Sequence, residues 1–153
     1  GGGAVGHLQR HVAGVLWAQL EHSRGNAGKA VKMLGATLGG GLRGVAGAGH
    51  SLLYNNLACV QHSQGNVHTA AVLLSLALRA SAEEEEAEAR AAGAPGPGEL
   101  PAHARHRRGL MFYNAGLAWL AAGKWGAAAG CFHAAQGPMR GEPLLWLGLP
   151  AGR

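Results

Sequence analysis

Three glycines, Gly25, Gly65 and Gly123, each close one stretch of helix-forming residues and open another, with small and apolar residues at matching offsets around each turn. No other feature constrains the fold as strongly, because a repeat of this kind demands hairpins of one design. Let each turn glycine be position fifteen of its unit. The middle unit then carries Tyr54 at position four, Leu57 at seven, Ala58 at eight, Ala70 at twenty and Leu74 at twenty-four, followed by Ala77 and Leu78. The third unit gives Phe112, Ala115 and Gly116 at four, seven and eight, Trp119 at eleven, then Ala128, Phe132 and Ala135. The first is weaker, with Gly14 at four, but it has Trp17, Ala18, Ala30, Leu34 and Leu38.

Close packing of two antiparallel helices explains these offsets. Ala or Gly at position eight and Ala at twenty leave no bulk where the backbones approach, and large groups at four, seven and twenty-four fill the rest. This is the pattern of the tetratricopeptide (TPR) repeat, about 34 residues long. It predicts an all-α solenoid of helical hairpins, about three repeats plus the start of a fourth. The repeat-packing residues are then Trp17, Ala18, Gly25, Ala30, Tyr54, Leu57, Ala58, Gly65, Ala70, Phe112, Gly116, Gly123, Ala128, Phe132 and Trp146. A hairpin of this kind cannot bury its apolar face alone, so the units stack and offer a concave groove to another polypeptide. The architecture points to binding and away from catalysis.

The solenoid should span residues 7–149, in units over about 11–38, 51–80 and 109–137 with a partial unit at 143–149. Helices are expected from about His7 to His22, Asn26 to Leu38, His50 to Ser63, Val67 to Arg79 with a continuation through the glutamates left open, Arg108 to Ala121 and Trp125 to Gln136. Asn26 and Ser51 are candidate N-caps. Residues 39–49 read as a glycine-rich connector, and 81–107 as a flexible insertion of charged, proline and glycine residues. Between Ala91 and Pro101 the three prolines remove backbone donors and exclude a helix. Leu144, Leu145, Trp146 and Leu149 resemble the opening of a fourth unit, with Trp146 at position four, which Pro150 should stop.

Composition bounds the reading further. A chain of 153 residues with 48% hydrophobic content has enough for one core, but its 27 glycines weaken the helices. Gly28, Gly35, Gly126 and Gly130 fall inside second helices, where glycine costs about 1 kcal/mol relative to alanine. The chain opens Gly1-Gly2-Gly3 without a methionine and stops within an apolar run, which reads as part of a longer protein. Asn114 and Lys124 interrupt the longest apolar stretch, so a soluble protein of the cytoplasm, with the nucleus as a second location, is expected rather than a membrane protein. Cys59 and Cys131 lack C-x-x-C spacing and read as reduced core thiols.

Several patterns invite chemistry and fail on inspection. His7 and His11 lie one helical turn apart, but no further ligands stand at a recognisable spacing, so metal is not expected. Gly1-x-Gly3-x-x-Gly6 and Gly39-x-Gly41-x-x-Gly44 match a dinucleotide fingerprint in letters only, since neither follows a strand. No nucleophile motif and no P-loop lysine is present, and the glutamate run from Glu83 to Glu86 reads as a solvated face. No enzyme, cofactor or small-molecule substrate is expected. The basic tract His103 to Arg108 lacks the interleaved aromatics that stack bases, which makes direct RNA contact the weaker reading and a solvated or internally neutralised tract the better one.

On a TPR unit, positions two, five, nine and twelve of the first helix face the groove. Gln19, His22, Asn55, Cys59 and His62 occupy such positions, and Asn114 joins them as a protein-binding candidate. Asparagine is a poor helix former, so Asn55, Asn56 and Asn114 imply a side-chain role, either holding a partner's backbone or tying adjacent repeats together. A clamp for a peptide carboxylate would need Lys or Arg at groove positions, where this chain has Asn, Gln, Cys and His.

Three strings are more particular. They are Ala18-Gln19-Leu20-Glu21 with Arg24-Gly25-Asn26 and Lys29-Ala30-Val31-Lys32-Met33-Leu34; Tyr54-Asn55-Asn56-Leu57-Ala58-Cys59; and Tyr113-Asn114-Ala115-Gly116-Leu117 with Cys131-Phe132, closed by Pro143-Leu144-Leu145-Trp146-Leu147. In this order they resemble the TPR subunit-ten family of the Ccr-Not (carbon catabolite repression-Not) mRNA deadenylase complex, over roughly residues 16–149. The resemblance implies a non-catalytic scaffold subunit that pairs with subunit eleven and docks on the N-terminal region of the scaffold subunit Not one. It would serve mRNA deadenylation, mRNA decay and translational repression. The alternative is a generic TPR peptide-binding adaptor or co-chaperone.

Overall fold

The computed structural model describes residues 2–40, 49–91, 93, 102–135 and 146, with side chains at 13–38, 49–91, 93, 104–135 and 146. Among them the fold is all-α. The helices are α1 Gly2–Ser23, α2 Ala27–Gly40, α3 His50–Ser63, α4 Val67–Ala91, α5 Ala102–Ala121 and α6 Trp125–Ala135. They pair as three hairpins, α1 with α2, α3 with α4 and α5 with α6, and consecutive hairpins pack through α2 on α3 and α4 on α5.

The three turns are built alike. Gly25, Gly65 and Gly123 have φ of 86°, 83° and 77°, the left-handed region that a side chain resists. At each turn the glycine N–H donates to a carbonyl three residues back, Gly25 to His22, Gly65 to His62 and Gly123 to Leu120, all at 3.0 Å. The next residue then donates to the carbonyl five back, Asn26 to Glu21, Asn66 to Gln61 and Lys124 to Trp119, all at 2.9 Å. Two carbonyls that a helix end leaves without intrahelical partners are thereby satisfied. The asparagines add a side-chain bond: Asn26 Nδ2 donates to Glu21 Oε2 at 2.7 Å and Asn66 Nδ2 to Gln61 Oε1 at 2.8 Å. These asparagines brace the turn they follow, and Asn26 also stands at the N-cap position of α2, as the spacing suggested, its carbonyl accepting from Ala30 N–H at 3.1 Å.

Within each hairpin the small residues at positions eight and twenty are buried. Ala18 and Ala30, and Ala58 and Ala70, are all fully buried, and Gly116 and Ala128 are buried too. At Gly116 a methyl group would come within 2.6 Å of the Phe132 ring, so α5 and α6 approach closely there. One core cluster joins Val15, Ala18, Ala30 and Leu34 to Leu53, Leu57 and Val60 of α3. A second joins Ala58, Ala70, Ala71 and Leu74 to Ala115 and Ala118 of α5, and a third sets Ala77 against Met111 with Tyr54 at its edge.

Three sequence expectations change. The segment 81–107 is mostly helical, since α4 continues to Ala91 and α5 begins at Ala102. The cause is burial: Leu74, Ala77, Ser81 and Glu84 fall on one face of α4, at the spacing of a helix stripe, and all are buried. Ser51 does not cap α3. Gly49, with φ 79°, takes the N-cap position, and Ser51 stands two residues further in. Trp17, placed in the packing by its offset, is 54% exposed, while its counterparts Leu57 and Ala115 are buried because α2 and α4 lie beside α3 and α5. Among the described residues no second helix lies beside α1 in that way. The connector residues 41–48 and the fourth-unit residues 143–149, apart from Trp146, lie outside the described residues.

Candidate protein-binding face

The first helices of the hairpins, α1, α3 and α5, are linked to one another by side chains. Between α1 and α3, His22 Nε2 and Ser63 Oγ are 2.8 Å apart. Ser63 Oγ also donates to the Val60 carbonyl at 2.6 Å. A hydroxyl has one proton to give, so His22 Nε2–H is the donor in the bond to Ser63. Between α3 and α5, Asn114 Nδ2 donates to Asn55 Oδ1 at 2.9 Å, and Asn55 Nδ2 donates to Asn56 Oδ1 at 3.1 Å and approaches Cys59 Sγ at 3.8 Å.

These bonds divide the six groove candidates. Gln19, His22 and His62 are half-buried and border the open face. Asn55, Cys59 and Asn114 are buried and face the seam between hairpins. The correction has a physical reason: a buried amide must find partners inside the protein, and here two amides from adjacent units satisfy each other. Of the two roles open to these asparagines, the structure assigns the tie between repeats. Burial also pushes the Cys59 thiol well above its ordinary pKa, and that of Cys131 upward, so neither is a thiolate nucleophile at neutral pH. Both cysteines are free.

Trp146 borders the same face. Expected to open a fourth unit beyond α6, it is instead half-buried against both of the larger core clusters, its ring centroid 5.6 Å from that of His22. Burial holds the pKa of His22 and of His62 below the ordinary histidine value, and His62 Nε2 is buried without a hydrogen-bond partner. The open part of the face thus presents neutral imidazoles, an amide and an indole at neutral pH. Such a surface suits the backbone and apolar side chains of a protein partner better than a phosphate.

The sequence reading missed the acidic anchors. Glu84 is buried, accepting from Ser51 N–H at 3.1 Å and from Ser51 Oγ at 2.5 Å. Its carboxylate sits at the N-terminus of α3, where the helix dipole and a free N–H favour a negative charge. The signal was present, since Glu84 continues the stripe of Leu74, Ala77 and Ser81, but a run of glutamates conceals it. Glu85 pairs with Arg108, so the basic tract is partly neutralised within the molecule. Glu21 is buried at the first turn, with Lys29 at 3.6 Å and Arg24 at 3.7 Å, and the Asn26 bond and these two cations hold its pKa low.

Among the described residues no three His, Cys, Asp or Glu side chains cluster as metal ligands, and no helix is long and apolar enough to cross a membrane. The side chains of His7 and His11 lie outside the described residues. No protein-family model matches the chain, and comparison with curated proteins and with solved structures finds no match either.

Proposed function

We propose that this chain is a TPR-type solenoid segment serving as a non-catalytic assembly module of the Ccr-Not deadenylase complex. Its partners in this reading are subunit eleven and the N-terminal region of the scaffold subunit Not one. One observation carries the proposal: three hairpins share the same turn hydrogen bonds, and small residues are buried at positions eight and twenty of every unit. Hairpins of that design stack to present surface, not to assemble reacting groups. The strings around Asn55 and Asn114, which resemble the subunit-ten family, coincide with the buried seam between units, where a change would disturb the register of the stack.

The test is affinity purification of the tagged full-length protein followed by mass spectrometry. Recovery of Not one, subunit eleven and the deadenylases is the expected result. Recovery of chaperones or a single unrelated protein, with no deadenylase, would overturn the assignment and leave a generic TPR adaptor.

A further inference from the structure

Trp146 fills a place on the face of the first helices that lies far from its neighbours in sequence. It follows the end of α6 at Ala135 and belongs to no helix, yet it packs against both larger core clusters and its ring centroid is 5.6 Å from that of His22 on α1. The bond from His22 Nε2–H to Ser63 Oγ, at 2.8 Å, fixes the imidazole plane, and the indole lies against it at 35°.

The floor around this place is mixed in character. On α5 the residues at the offsets of Gln19 and His22 are Leu117 and Leu120; Leu117, like Trp146, packs on the second cluster, and Leu120 is 41% exposed. The face therefore runs from polar at α1 to apolar at α5. A tryptophan, an apolar body with one polar edge, matches such a floor better than an aliphatic or a charged side chain does. The fit within the molecule is incomplete, however. Trp146 stays half-buried, and His62 Nε2 on α3 is buried with no hydrogen-bond partner. A longer polypeptide laid along the same face can cover the indole more fully and supply that hydrogen bond.

We propose that this place is a docking site for a tryptophan carried on an apolar segment of a protein partner, and that Trp146 occupies it in cis, so that the partner binds by displacing it. Buried tryptophans are frequent anchors of protein interfaces. While the cis contact holds, the site is competent only in the fraction of molecules that have released Trp146, and the apparent affinity falls by that fraction. This requires only that the face binds protein, whichever complex it serves, and the purification above tests that identity separately.

The whole 153-residue chain and its Trp146→Ala variant, first compared by circular dichroism, are titrated into a fluorescein-labelled peptide of residues 138–149 and followed by anisotropy. The variant should bind the peptide at least about tenfold more tightly than the parent, whose site is filled. A peptide with alanine in place of the tryptophan should bind neither chain. In nuclear magnetic resonance spectra the imidazole signals of His22, identified by their loss in His22→Gln, should move in Trp146→Ala as the ring current is withdrawn, and the tryptophan peptide should restore them. Equal affinity of the two chains, a variant that binds no peptide, or an alanine peptide that binds like the tryptophan one would overturn the proposal. So would His22 signals that do not respond to the substitution. Loss of the helical fold in the variant would make the indole a fixed part of the core instead of a replaceable occupant, and would overturn it too.

Discussion

At the scale of single residues, the polar groups inside the stack tie neighbouring hairpins together while alanine and leucine are the commonest residues of the apolar core. Asn55 and Asn114 illustrate this: each is buried, and the bond between them crosses from one hairpin to the next. Truncating Asn114 removes the buried donor to Asn55 Oδ1, which costs about 1–3 kcal/mol. Asn114→Ala should lower the urea midpoint accordingly, and a cycle with Asn55→Ala should show a coupling of about 0.5–3 kcal/mol. Strict additivity would remove the tie. Glu84 acts similarly on one helix end. Glu84→Ala leaves the Ser51 N–H and hydroxyl without their acceptor and should cost about 1–3 kcal/mol in the same assay, whereas its exposed neighbour in Glu83→Ala should change stability by less than about 0.5 kcal/mol. Equal effects at the two sites would argue that Glu84 is solvated after all.

Among the helices, the glycines fall into separate classes that the letters alone do not distinguish. Gly25, Gly65 and Gly123 hold positive φ, and an alanine there should destabilise by about 1–2 kcal/mol. Gly116 holds negative space: Gly116→Ala drives its methyl into the Phe132 ring and should cost about 1–3 kcal/mol. Gly28, Gly35, Gly126 and Gly130 have helical backbone and open space around the missing Cβ. Alanine at each of these four should raise stability by about 0.5–1 kcal/mol. Thermal melts of the single variants check the ordering, and a Gly126→Ala variant less stable than the parent would contradict it. The ends of the helices were less legible than their middles. The Pro-Gly stretch after Ala91 excludes helix locally, but α4 reaches Ala91 because Ser81 and Glu84 find burial against α3, a benefit that no local propensity records.

The molecule as a whole should lose stability in mild acid. His22 and His62 have folded pKa values below their ordinary value of 6.5, because burial disfavours the charged ring. The unfolded chain therefore binds protons at a higher pH than the folded one. Their contribution is complete above about pH 6.5 and is lost as pH falls from there towards the folded values. Glu21, also depressed, adds a loss of the same sign at lower pH, below the ordinary carboxylate value of 4.5. The melting temperature should drop between about pH 7.5 and about pH 5, and a His22→Gln, His62→Gln double variant should show a shallower drop over that interval. An unchanged slope would mean that the two rings are solvated.

The sequence by itself determined the hairpins. Turn glycines, small residues at the points of closest approach and the apolar stripe are set by backbone sterics and by helix period, which act over a few residues and repeat wherever the residues do. Only the tertiary structure decided which polar residues are buried and which apolar ones are left open. Asn55 and Asn114 meet because two hairpins stack; Glu84 is an anchor because the end of α3 lies beside it; Trp17 is exposed because nothing described stands where α2 stands for Leu57. Those outcomes depend on neighbours distant in sequence, and a periodic pattern specifies the face a residue occupies without specifying what that face will meet.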